Sequence, residues 1–211
     1  MSISNIPDIS QTGMQMLHPG SKKLFRYWET LRAERPCPNR SDFDLRQLVE
    51  IMPNLIILEL NQVEPRWSYR LAGTAVCSLM SSSLTGKDAL AGWDRFERDI
   101  VSKSFGIAQD RKQPCLVRMR FVFDGAPMLA AELIALPVFD KNTQQTQLFG
   151  GLFPLLNGKP LLVAQLERRE LVSARMIWTE HETGDALMQM VGRKVPPQLR
   201  VIQGGIFQKK S

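Results

Sequence analysis

The stretch WSYRLAGTAVCSLMSSSLTGKD, residues 67–88, changes its pattern in the middle. Its first part alternates aromatic and apolar residues with arginine and serine, which is typical of a strand. From Thr74 to Gly86 the residues are small and compatible with a short helix. Gly73 stands where the two patterns meet, and we expect it to let the backbone bend there as the chain leaves a sheet. The alternative is that the chain passes so close to the sheet at Gly73 that a side chain would meet it.

Strand patterns occur on both sides of this stretch. The apolar run LIILEL, residues 55–60, precedes it, and three further strand-like segments follow it, at 115–123, 127–139 and 146–155. Asp124 and Gly125 favour a tight turn between the first two of these. Residues 74–105, between the two groups, are helical or irregular in pattern. The sequence therefore predicts an α+β fold with five antiparallel strands, two before a helical block and three after it.

Three amphipathic helices are predicted from apolar residues that recur at helical spacing. The first begins at the capping residue Ser21 and ends before Pro36, and its apolar face is Leu24, Tyr27, Trp28 and Leu31. The second covers residues 41–52, and its apolar face is Leu45, Leu48, Val49 and Met52. The third covers residues 93–105, and its apolar face is Trp93, Phe96, Ile100 and Val101.

The length of the chain suits one domain of ordinary size with extensions. We expect an N-terminal tail at residues 1–20, one domain at 21–156 and a basic C-terminal extension at 157–211. From residue 156 onward the chain carries 9 Lys or Arg and 5 Asp or Glu, so most of the net charge of +6 lies there. Residues 166–193 are predicted to hold one or two helices, and the Pro, Gly and Lys-rich remainder is predicted to be disordered.

Composition argues against several classes of function. No apolar run is long enough to cross a bilayer and the amino terminus lacks an export pattern, so we expect a cytoplasmic protein. The three cysteines lie far apart, and His18 and His181 have no ligand partner at helical spacing, so no metal site is expected. Residues 81–83 are serines without a neighbouring histidine, and TGKD lacks the glycine spacing of a phosphate loop. We therefore predict no catalytic residues and no enzyme.

Six short motifs occur together in one order: YWETLR, PNRSDFD, LVEIMPNLIILEL, YRLAGT, LTGKD and LFGGLFPL. In this order they resemble the PAS_5 family of bacterial single-domain PAS proteins, over residues 24–155. LRVIQGG near the C-terminus also resembles an ending seen in such proteins. The resemblance implies a PAS-like five-stranded antiparallel sheet with a helical lid, preceded by the amphipathic N-terminal helices, and a cavity between lid and sheet.

The resemblance also implies a function in bacterial signal transduction. A protein of this kind is a non-catalytic regulatory or sensory protein that contacts a signalling protein, such as a histidine kinase, and that an unidentified small ligand can modulate. A homodimer is compatible with this function, and neither nucleic acid nor a membrane is the expected partner. Two alternatives stay open: a PAS sensor that carries flavin or haem, and a nucleic-acid-associated protein that uses the basic C-terminal extension. No particular cofactor is predicted.

Two sets of residues are candidates for binding. The candidates for a small-molecule pocket between sheet and lid are Tyr69, Cys77, Trp93, Met119 and Phe121, each of which is also an ordinary core residue. The candidates for an interface with a partner or with a second copy are Leu24, Trp28 and Leu31, on the first helix. This helix can equally cover its own sheet.

Three arginines alternate with the apolar residues of their strands and so occupy the opposite face of the sheet: Arg70, Arg118 and Arg120. We expect this face to be solvated. If the first helix covers it instead, the arginines lie at its margin and can pair with Glu29 or Glu34. A third use is to bind an anionic ligand or partner through the guanidinium groups.

Overall fold

The computed structural model describes residues 16–61, 64–124, 126–155 and 166–177, with only the backbone of residues 126–128. Six strands form one antiparallel sheet: β1 (Leu55–Asn61), β2 (Arg66–Ala72), β3 (Cys115–Phe123), β4 (Ala126–Asp140), β5 (Gln145–Pro154) and β6 (Leu166–Met176). Their order across the sheet is β2-β1-β5-β4-β3-β6. The predicted α+β class and the two groups of strands are confirmed, but the predicted count of five strands is corrected to six.

Three α-helices accompany the sheet: α1 (Pro19–Arg32), α2 (Thr74–Leu79) and α3 (Arg95–Arg111). A short 3-10 turn (Arg40–Asp42) and a longer 3-10 helix (Leu45–Asn54) lie between α1 and β1. α1 begins before the predicted Ser21, because His18 caps it and Pro19 provides a first residue with helical φ. The Nδ1 atom of His18 accepts a hydrogen bond of 2.9 Å from the backbone N–H of Gly20.

The 3-10 helix corrects the apolar face predicted for the second helix. A 3-10 helix has about three residues per turn, so residues three apart in sequence share a face. Leu48 and Ile51 are accordingly the buried pair, while Leu45, three residues before Leu48, is the first residue of the helix and stays uncovered. Leu45, Val49 and Met52, which were predicted to be buried as in an α-helix, are 48%, 62% and 39% exposed.

The apolar face of α3 also differs from the prediction. Asp94 caps the helix by accepting a hydrogen bond of 2.8 Å from the backbone N–H of Glu97, so Trp93 lies before the first turn. The buried residues of α3 are Val101, Phe105 and Ala108. Phe96 is 75% exposed, because it lies on the side of the helix that faces away from the sheet.

β6 occupies the first part of residues 166–193, where one or two helices were predicted. It pairs with β3 in a register that shifts at two places. Each shift moves the following side chains to the other face, so the residues that meet the helical block are unevenly spaced: Leu166, Arg169, Leu171, Ala174 and Met176. This spacing hides the alternation by which a strand is recognised in sequence. The sheet thus extends to Met176, beyond the predicted domain end at residue 156, and the rest of the predicted extension, 178–211, lies outside the described residues.

Helical segments cover both faces of the sheet. One face packs against α2, α3 and the segment between them, in a core cluster that includes Trp67, Phe105 and Phe121. The other face packs against α1 and the 3-10 helix, in a cluster that includes Trp28 and Phe153. The second face was expected to be solvated, and the structure corrects this, because α1 covers the apolar side chains that β4 and β5 present to it.

Gly73 is the point at which the chain leaves β2 for α2. A Cβ atom here would lie 2.7 Å from the carbonyl oxygen of Met52 and still closer to that of Pro53. The backbone N–H of Gly73 donates to the carbonyl of Leu55 over 2.8 Å. The expectation that Gly73 only lets the backbone bend is therefore wrong, and the alternative of a close approach holds, although the backbone that it approaches is the end of the 3-10 helix and not the sheet.

Candidate functional site

The five residues predicted to line a pocket lie on the same side of the sheet. Tyr69, Met119 and Phe121 are buried in the core beneath the helical block, and Cys77 and Trp93 pack against this core while partly exposed. The structure therefore brings all five together, as packing residues. Their contact with a ligand remains a prediction, and among them only Trp93 lines either of the two cavities described below.

The cysteines differ in their surroundings. Cys77 is partly exposed near the start of α2, and its thiol lies 3.7 Å from the carbonyl oxygen of Ala72. Burial raises the pKa of Cys115 to about 12, and burial also raises the pKa of Cys37. Cys115 is thus a neutral packing thiol at physiological pH.

A cavity of about 540 Å³ opens between the segment that follows α2 and strand β6. We call it the β6 cavity. The lining residues that matter for its chemistry are Met80, Ser82, Leu84, Lys87, Leu166 and Arg169. It therefore combines apolar side chains with two cations, and neither cation was among the residues predicted from sequence.

Arg169 is the most buried charged residue of this cavity, at 6% exposed. Its Nη1 atom donates to the carbonyl of Ala89 over 2.9 Å, and its Nη2 atom lies 3.7 Å from the sulfur of Met80. Its backbone N–H donates to the carbonyl of Gly92 over 2.7 Å, which ties β6 to the helical block. Its Nε atom is buried without a hydrogen-bond partner.

The other charges of the β6 cavity are partly neutralised. Asp88 pairs with Arg98 over 2.7 Å, and this carboxylate also accepts from the backbone N–H of Leu90 over 2.8 Å. The ammonium group of Lys87 is hydrogen-bonded to the hydroxyl of Ser82. Glu167 lines the cavity and is exposed. The lining side chains alone carry two cations and two carboxylates, so the positive excess of one charge comes from Arg98, which pairs with Asp88.

A second cavity of about 640 Å³ adjoins the first along β6. Both cavities are lined by Gly92, Glu167 and Arg169. The second is the more polar in its residues, which include Glu97, Arg120, Arg168 and Glu170. Glu97 accepts a hydrogen bond of 2.8 Å from the backbone N–H of Leu171, so this carboxylate joins α3 to β6.

The three arginines singled out in the sequence have separate surroundings. Arg70 pairs with Glu59 over 3.3 Å at the surface. Arg118 pairs with the buried Glu132 over 3.2 Å, at the margin of the face that α1 covers. Arg120 is exposed and lines the second cavity. The alternative prediction for this face was that the first helix covers it and that the arginines lie at its margin. Arg118 lies at that margin.

The predicted interface residues on α1 largely face the protein's own sheet. Leu24 and Trp28 are fully buried, and Trp28 Nε1 donates to the carbonyl of Pro137 over 2.8 Å. Neither side chain offers surface to a partner in this arrangement, which corrects their use as exposed anchors. Leu31 is partly exposed, and its contact with a partner remains a prediction.

Within the described part of the chain, no group of three or more His, Cys, Asp or Glu side chains could hold a metal ion. None of the helices that these residues form has the length and hydrophobicity of a bilayer-spanning segment. Residues 157–165 and 178–211 of the basic C-terminal extension proposed for nucleic acid, His181 among them, fall outside the described residues.

The order of strands around a helical block, with α2 and α3 lying over the curled sheet, defines a PAS domain. The PAS_5 family model, described as a PAS domain, matches residues 16–153, about two thirds of the 211 residues. The chain belongs to the PAS_5 family, as its sequence motifs predicted. No curated protein is similar enough to be matched to it. PAS domains are typically non-enzymatic sensory modules, so a sensory or regulatory role is indicated.

Proposed function

We propose that this protein is a regulatory PAS protein that acts without catalysis of its own, by binding a signalling protein in a bacterial signalling pathway. The domain itself supports the regulatory part of this function. A histidine kinase is the kind of partner that the family suggests. The 3-10 helix supplies the contact surface.

One observation supports contact with a partner: the 3-10 helix exposes apolar side chains. The 3-10 helix fixes Leu48 and Ile51 in the core, while Leu45, Val49 and Met52 remain exposed. We call these three exposed residues the 3-10 patch. Apolar side chains held on an anchored backbone lose little conformational freedom when they are covered by a partner.

The charges around the 3-10 patch support a protein as the partner. Glu50 pairs with Lys23, and Arg46 pairs with Asp44 over 3.0 Å. The charged residues beside the patch are thus neutralised by one another. An apolar centre with a polar rim is the usual arrangement of a protein interface, whereas nucleic acid requires an excess of positive charge.

The experiment compares Val49→Glu with Val172→Glu, because Val172 is a similarly exposed valine on β6. Tagged wild-type protein is used to capture partners from native cells, and each captured signalling protein is purified and titrated against the three forms. We expect wild type and Val172→Glu to bind alike and Val49→Glu to bind about tenfold more weakly or worse. Circular dichroism verifies that both variants are folded.

Three outcomes would contradict the proposal. One is that no signalling protein is captured, and another is that Val49→Glu binds the purified partner as tightly as wild type does. The third is that Val49→Glu converts a dimer to a monomer in light scattering without changing partner binding, since the 3-10 patch would then join two copies of this chain.

A further inference from the structure

We propose that the β6 cavity binds a small organic anion, a monocarboxylate with an apolar body, through Arg169 and Lys87. Such a site is independent of the partner binding proposed above, because it lies between the helical block and β6 instead of on the 3-10 helix. β6 also follows the family-matched residues 16–153 in the chain, so a residue outside the matched segment supplies the central cation.

The main reason is the unbalanced charge of Arg169. A guanidinium group carries five N–H donors, and the hydrogen bonds of the described residues engage two of its nitrogen atoms, both with uncharged acceptors. Its Nε–H is buried and unpaired. Its guanidinium carbon lies 6.0 Å from the ring centroids of Trp93 and Phe121, and these cation–π contacts offset the charge without neutralising it. A buried cation is normally compensated by an opposite charge, because desolvation of a charge without a partner is unfavourable.

The described residues do not supply that partner. Among the ion pairs of the described residues, none involves Arg169. Residues 156–165, which lead into β6, contain no Asp or Glu. Arg169 donates to the carbonyl of Ala89, and the acidic residue beside Ala89 in the chain is Asp88. Asp88 is already paired with Arg98. An anionic ligand would complete the guanidinium's contacts.

The charge balance favours a monoanion. Arg169 and Lys87 contribute two positive charges to the β6 cavity, and Glu167 contributes one negative charge. The pair of Asp88 and Arg98 adds none. One negative charge on the ligand neutralises the remaining excess, whereas a phosphate dianion would leave a negative site beside Glu167.

The apolar lining indicates that the ligand has a body as well as an acidic group. Met80, Leu84 and Leu166 line the same cavity. Its volume of about 540 Å³ falls in the range of sites for small organic molecules. An inorganic ion alone would leave these apolar side chains in contact with water, so a carboxylate joined to a short hydrocarbon chain suits the lining better.

The test uses hexanoate as the probe, titrated into the full-length protein by isothermal calorimetry. 1-Hexanol has the same hydrocarbon chain without the charge, and inorganic phosphate has charge without the hydrocarbon. The variants are Arg169→Met, which keeps an unbranched buried side chain, and Lys87→Gln at the exposed side of the cavity. Arg168→Gln is the matched control, because Arg168 is the neighbouring residue of β6 and pairs with Glu170 over 2.9 Å at the surface.

We expect hexanoate to bind wild type and Arg168→Gln alike, and to bind Arg169→Met about tenfold more weakly or worse. Lys87→Gln should weaken binding by about threefold or more and, because Lys87 is exposed, should fold even if Arg169→Met does not. The proposal is overturned if hexanoate does not bind at millimolar concentration, if Lys87→Gln and Arg169→Met leave its affinity unchanged, or if hexanol or phosphate binds as tightly as hexanoate.

Discussion

Glu132 and Arg118 face each other across β4 and β3, with Arg118 Nε 3.2 Å from Glu132 Oε2. The Glu132 side chain is fully buried. It also accepts hydrogen bonds from the backbone N–H groups of Leu17 and His18, over 3.0 and 3.1 Å. One carboxylate therefore holds the residues that start α1 against the sheet, and it ties the N-terminal helix to the PAS domain.

Replacing Glu132 by Ala should destabilise the protein by about 3 kcal/mol, because Arg118 and two backbone donors lose their acceptor. Glu59→Ala is the matched control, since Glu59 forms an exposed pair with Arg70 and should change stability by less than about 1 kcal/mol. Urea unfolding measures both, and hydrogen exchange at Leu17 and His18 should accelerate in Glu132→Ala. Equal losses in the two variants would show that Glu132 does not anchor α1.

The stability of the fold should decrease in mild acid because of His18. Burial lowers the pKa of His18 below its usual 6.5, and the charge of Glu132 opposes this only in part. Below about pH 6.5 the unfolded chain therefore binds more protons than the native protein, so the free energy of unfolding falls as the pH is lowered towards the native pKa. Protonation of Nδ1 would also remove the acceptor that caps α1.

His18→Asn isolates this effect, because asparagine can cap a helix but does not titrate in this range. We expect the free energy of unfolding of the wild type, measured with urea, to fall more between pH 7 and 5.5 than that of the variant. The contribution of His181 is common to both proteins and cancels. An identical pH dependence in wild type and variant would rule out His18 as its source.

Gly73→Ala should destabilise the protein by about 2–3 kcal/mol, because the added Cβ meets the carbonyl groups of Met52 and Pro53, which belong to the backbone and cannot rotate away. Gly106→Ala is the matched control within α3. An added Cβ at Gly106 meets nothing within 4 Å, and alanine favours a helix interior, so this variant should gain about 0.5–1 kcal/mol. A neutral Gly73→Ala in chemical unfolding would contradict the close approach.

Thiol labelling should separate the cysteines. At pH 8 iodoacetamide should modify the partly exposed Cys77 first and Cys37 more slowly, because burial raises the pKa of Cys37. Cys115 should stay unmodified, because it is buried and burial raises its pKa to about 12. Mass spectrometry of peptides reads each site, and labelling in urea shows that Cys115 reacts once the core opens. Modification of Cys115 at the rate of Cys77 in the native protein would be inconsistent with its packing beneath the sheet's helical cover.

The candidate site shows the limit of sequence reasoning. The motif TGKD, which contains Lys87, lacks the glycine spacing of a phosphate loop. The serines at 81–83 lack the neighbouring histidine that a nucleophile would need. No sequence pattern pointed to Arg169, because the spacing of residues in β6 hides the alternation of a strand. The five predicted pocket residues do meet on one side of the sheet. For Tyr69, Met119 and Phe121 the reason is that each belongs to a strand whose buried face the sequence indicates.

The sequence by itself determined the PAS family, the order of five strands and the position of the helical block, because these depend on local hydrophobic periodicity, on turns and on ordered motifs. Only the tertiary structure decided that α1 covers the second face of the sheet, that the 3-10 helix exposes Val49 and that β6 joins β3. The reason is physical: bulges and three-residue turns change which face a side chain occupies. Pairing with a distant strand, which no local pattern encodes, then places Arg169 beneath the helical block.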